Sequence, residues 1–86
     1  MQRTLQDDAE AAAYLEAAID QGDPPALMIA LRRLTEARGG VVEIAARTGL
    51  SRETLYRTLS ERGNPRLSSL SAILQATGLK LAITPA

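Results

Sequence analysis

The sequence predicts a mainly α fold, a five-helix helix-turn-helix domain with one C-terminal β-strand. Three observations predict it. Leu, Ile and Ala recur at helical spacing in five stretches divided by Gly, Asn or Pro. Asp7, Asp23 and Ser51 stand where three of those stretches need an N-cap acceptor. The last stretch, Leu79–Thr84, changes to a period of two, with Leu79, Leu81 and Ile83 alternating with Lys80, Ala82 and Thr84. A chain of 86 residues has room for one modest core, so residues 1–86 form a single domain.

The two N-terminal helices occupy residues 1–40. Asp7 followed by Glu10 makes a capping box, after which Ala11, Ala12, Leu15, Ala18 and Ile19 share a helix face until Gly22. Asp23-Pro24 starts the second helix, an acceptor followed by a residue whose φ is already helical. Leu27, Ala30, Leu31 and Leu34 form its apolar stripe, Arg32, Arg33, Glu36 and Arg38 lie mostly off it, and Gly39-Gly40 ends it. A short third helix over 41–49 turns Ile44, Ala45 and Thr48 inward, and a fourth after Ser51 turns Leu55 and Leu59 inward. Glu61–Arg66 reads as a loop, and the fifth helix, 66–77, places Leu67, Leu70, Ile73 and Leu74 on one face. The strand at 79–84 has no second strand in the chain to pair with. A symmetry mate would supply one, making a two-stranded ribbon in a homodimer through Leu79, Leu81 and Ile83; the other reading is a tail lying unpaired on the helices.

Composition removes several function classes. With no Cys there is neither a disulfide framework nor a thiolate metal site. With no His, the commonest general base and neutral metal ligand is missing. These absences point away from an enzyme and from any metal or other cofactor. The longest apolar run, Ala26–Leu31, falls far short of the roughly 18 residues of a membrane span. No secretory signal opens the sequence, so a cytoplasmic protein is the expectation. The net charge of zero divides unevenly: residues 1–23 carry one basic and six acidic residues, and residues 24–86 carry nine basic and four acidic. Such separation suits two faces with different partners.

The chemistry-bearing segment is the helix-turn-helix at 41–60. Ala45 is small where the next helix crosses, Gly49 suits a turn needing positive φ, and Leu50 plugs the turn. Ser51 caps the second helix, and Leu55 anchors it, leaving Arg52, Glu53, Tyr56 and Arg57 outward. The first turns of such a helix enter the major groove of double-stranded DNA. There Arg can grip guanine O6 and N7, Glu53 can accept from a cytosine amine, and Tyr56 can meet phosphate or a thymine methyl. Arg47, Arg52, Arg57, Arg62 and Arg66 make the surround basic, which supplies affinity through counterion release. With Ser51, Thr54, Asn64 and Ser68 these residues compose the candidate DNA face.

Residues 41–79 resemble the lambda-repressor-like (Xre-type) helix-turn-helix class, through Ala45, Gly49, Leu50, Ser51, Leu55, the Asn64-Pro65 loop and the Leu67, Leu70, Ile73, Leu74, Gly78-Leu79 pattern. Nearly the whole chain is similar to the short addiction-module antidote proteins, the HigA-like antitoxins. The similarity runs through residues 11–39, 44–70 and the GLKLAI segment at 78–83, with Gly-Asp-Pro and Leu-Ser-Arg-Glu-Thr-Leu-Tyr the most specific pieces. Thr58 departs from the broad class, which has an apolar residue three positions after Leu55, and Ser68-Ser69 replace its usual acidic residues. The resemblance implies an antitoxin that neutralises a RelE/HigB-like ribonuclease toxin and, as a homodimer, represses its own operon by binding operator DNA. The acidic first helix, with Asp7, Asp8, Glu10, Glu16 and Asp20, is the candidate toxin contact, because opposite fields steer association. The alternative is a free-standing Xre-type regulator with no toxin partner.

Overall fold

A computed structural model describes residues 5–60 and 62–85. Among them are five α-helices: α1 (Asp8–Asp20), α2 (Pro24–Ala37), α3 (Gly40–Thr48), α4 (Arg52–Thr58) and α5 (Leu67–Thr77). Local chemistry sets their ends. The Asp7 carboxylate accepts from the Glu10 amide at 3.1 Å and opens α1. Asp23 is the N-cap of α2 without a side-chain hydrogen bond, and Pro24 supplies the fixed φ of the first turn. The Gly39-Gly40 pair holds φ of +120° and +86°, the left-handed region open to glycine, and turns the chain from α2 into α3.

The helices pack in a chain of pairs: α1 on α2, α2 on α3, and α3 on both α4 and α5. Leu31, Leu34, Ile44, Leu55 and Ile73, from four helices, are fully buried at the centre, with Thr35 beside them. Met28 of α2 is buried as well, a residue the stripe reading passed over. Two periodicity readings are corrected. Leu67 is 73% exposed, because among the described residues no neighbour covers the first turn of α5, while Ile73 and Leu74 farther along reach the core. Ile19, at the end of α1, is half exposed instead of buried.

The expected strand at 79–84 is also corrected: residues 79–85 take no regular secondary structure in the single chain. A strand exists only through backbone pairing, and after the Leu79 amide bonds back to the Leu74 carbonyl at 2.9 Å no described segment lies alongside to pair. Leu79 instead packs against the core, Leu81 is marginally exposed, and Ile83 projects fully into solvent. The tail thereby forms one wall of a groove whose other walls are α1, α2 and α5.

Arg38 ties the ends of the fold together. Its guanidinium donates to the Leu5 carbonyl at 2.8 Å, to the Asp8 carboxylate at 2.7 Å and to the Thr77 carbonyl at 3.0 Å. One side chain at the end of α2 thus anchors the start of α1 and supplies a cation to the last turn of α5, where helix carbonyls favour positive charge.

Candidate nucleic-acid interface

The site is built on the turn between α3 and α4. Gly49 ends α3 with φ of +77°, and its amide bonds to the Ala45 carbonyl at 3.0 Å. Thr48 stitches the turn from within: its hydroxyl donates to the Ala45 carbonyl at 3.1 Å and accepts from the Leu50 amide at 3.1 Å. The Ser51 hydroxyl then accepts from the Thr54 amide at 3.0 Å and donates to the Thr54 hydroxyl at 2.8 Å. Leu55 and Leu59 drive the inner side of α4 into the core. The turn and its plug hold α4 in one orientation, so its outer side is presented rather than left to swing.

On that outer side Arg52, Glu53, Tyr56 and Arg57 are all exposed, with Tyr56 54% accessible despite its large apolar ring. Arg57 lies 3.7 Å from Glu53 at i,i+4 spacing, a loose exposed pair worth little in stability. The loop beyond α4 is braced by the Ser60 hydroxyl on the Arg57 carbonyl at 2.8 Å and by the Gly63 amide on the Ser60 carbonyl at 2.8 Å. It carries exposed Arg62, Asn64 and Arg66, and Ser68 is exposed in the first turn of α5.

The remaining predicted residues fall differently. Arg47 donates to the Ala76 carbonyl at 3.0 Å and to the Glu43 carboxylate at 2.9 Å, so its guanidinium braces α3 against the end of α5. Ser51 and Thr54 spend their hydroxyls on each other and on the cap. Asp7, Asp8, Glu10, Glu16 and Asp20 are all exposed, but Asp7 is occupied as a cap and Asp8 is paired with Arg38. Sequence reasoning missed the anchoring roles of Arg38 and Arg47; a basic residue at a helix end just before glycine is the one local signal that points to Arg38. Among the described residues no three acidic side chains converge to hold a metal ion, and no helix is long and apolar enough to cross a membrane.

Fold and site together define a small, mainly α protein that displays a capped, arginine-bearing helix behind a glycine turn. The chain belongs to the family described as probable addiction module antidote protein, whose sequence model matches residues 1–85. It is also similar to a Haemophilus influenzae protein described as uncharacterized, with 29% identity over 79 residues, covering 92% of this chain and 80% of that protein. No solved structure matches. Membership of an antidote family gives the protein a toxin as its natural partner.

Proposed function

We propose that this protein is the antitoxin of a type II toxin–antitoxin module, neutralising a RelE/HigB-like ribonuclease and repressing its own operon. It would bind operator DNA as a homodimer through a lambda-repressor-like helix-turn-helix formed by α3 and α4, without a cofactor and without catalysis of its own. The match to the antidote family over residues 1–85 is the observation that carries the reading. The geometry supports its DNA-binding half: Arg52, Tyr56 and Arg57 are exposed on the outer side of a firmly seated helix, Arg57 held only by its loose pair with Glu53. Arg52 and Arg57 would read base edges, while Arg62 and Arg66 would meet phosphate. Asn64 and Ser68 would make shorter polar contacts at the edges of that face. The acid-bearing surface of α1 would face the toxin.

Co-expression with the protein encoded beside it tests the reading. The antitoxin should restore growth to cells making the toxin and co-purify with it. Normal operator binding with neither rescue nor co-purification would leave a free-standing regulator instead.

A further inference from the structure

A groove of about 440 Å³ runs between α1, α2, α5 and the tail, and among the described residues its lining takes nothing from α3 or α4. Its floor is buried leucine: Leu15, Leu31 and Leu74. Its lips are Ile19 and Leu81, which are exposed aliphatic side chains. Along α1 the lining reaches from Ala12 to Ile19, about 10 Å or two helical turns. Glu16 also lines it, and Asp20, one turn later on the same face of α1, stands exposed beside it. The cation at the opposite wall is Lys80.

We propose that this groove is the toxin-docking site, taking an amphipathic segment whose aliphatic side chains seat between Ile19 and Leu81 while a lysine or arginine meets Glu16 and Asp20. The proposal rests on the antitoxin reading and goes past it by naming the surface and the chemistry of what fills it. Exposed aliphatic lips beside charged residues have the anatomy of a binding surface, an apolar centre within a polar rim. A two-turn groove accepts anchors at i, i+3 or i+4, the spacing of a docked amphipathic helix. Charge selects the occupant. Helix α1 carries Asp8, Glu10, Glu16 and Asp20 and no basic residue; Asp8 is paired with Arg38, and the other three set its negative field. A ribonuclease must carry cations to hold RNA phosphates, so its field is opposite to that of α1. The groove and the outer side of α4 share no residues, so filling the groove leaves the exposed side chains of α4 uncovered by it.

The test titrates the purified full-length chain with the co-encoded toxin by calorimetry, with light scattering to follow oligomeric state. Two double variants are compared with the parent: Ile19→Asp with Leu81→Asp, and Glu16→Lys with Asp20→Lys. Glu16 and Asp20 are exposed, so the second variant should keep the parent's melting temperature and operator affinity. Ile19 and Leu81 are only 49% and 38% exposed, so the first should melt somewhat lower and is titrated well below its transition, where circular dichroism shows it folded. The first variant should weaken toxin binding at least about 100-fold, as for lost apolar anchors. The second should weaken it about tenfold, and by less in high salt. Toxin affinity within about threefold of the parent for both variants overturns the assignment of the groove. A dimer-to-monomer shift at unchanged toxin affinity also overturns it and gives the groove to a second copy. Failure of the unaltered chain to bind any toxin removes the antitoxin reading and the docking proposal with it.

Discussion

Replacing Gly63 by alanine should damage this protein more than any other single methyl group added to a glycine. The Cβ would sit 1.9 Å from the Thr58 carbonyl oxygen, 2.8 Å from its carbonyl carbon and 2.9 Å from the Ser60 oxygen. Ordinary contact begins near 3.4 Å, so the loop must retreat by about 1.5 Å, and the atoms in its way are backbone rather than a flexible side-chain end. Retreat breaks the 2.8 Å bond from the Gly63 amide to the Ser60 carbonyl. A lost hydrogen bond of about 1 kcal/mol and overpacking of about 1–2 kcal/mol together give about 2–3 kcal/mol. In a domain of this size that lowers the melting temperature by roughly 10–20 °C. The assay is thermal unfolding followed by helical circular dichroism. Gly22→Ala is the control: among the described residues nothing lies within 4 Å of its Cβ, and its φ of +67° alone costs about 1–2 kcal/mol. The variant should also lose operator affinity, because the displaced loop carries Arg62, Asn64 and Arg66. A Gly63→Ala protein melting within about 2 °C of the parent would refute the close approach of Gly63 to the Thr58 carbonyl.

Ser51→Ala removes the cap of α4 and should cost about 1 kcal/mol, whereas Ser51→Asp, which keeps an acceptor, should melt near the parent. Ile73→Ala should cost about 2–5 kcal/mol in chemical denaturation, while Leu67→Ala, at an exposed site on the same helix, should stay within about 0.5 kcal/mol. Arg52→Ala should cost about 1–3 kcal/mol of operator binding and blur discrimination at one base pair. Arg66→Ala should weaken specific and random DNA equally and flatten the salt dependence by about one charge, both read by anisotropy titration.

Much of the fold is legible in the sequence because its signals are local. Asp7, Pro24, Ser51 and Gly49 act on neighbours within a turn, and each does so in the structure where its spacing implies. What was not legible depends on distance along the chain. Arg38 joins residues 30, 33 and 39 positions away, and Arg47 reaches Ala76 from 29 away; no periodicity records such pairings. Leu67 shows a related gap: a stripe gives the direction a side chain faces, not whether a neighbouring helix extends far enough to cover it. The alternation at 79–84 likewise describes side chains, while a strand is a property of two backbones. The outward side of α4 was legible because Leu55 and Leu59 leave only one way for that helix to face. The groove was not, since its walls come from four separate segments.

The most direct measurement is a fluorescence anisotropy titration of the DNA immediately upstream of this gene, at two salt concentrations, with the parent and the Arg52→Ala/Arg57→Ala protein. Tight parental binding that weakens steeply with salt, against near-random affinity for the double variant, is the predicted result. Equal, salt-insensitive binding by both proteins would mean that the outer side of α4 does not meet DNA.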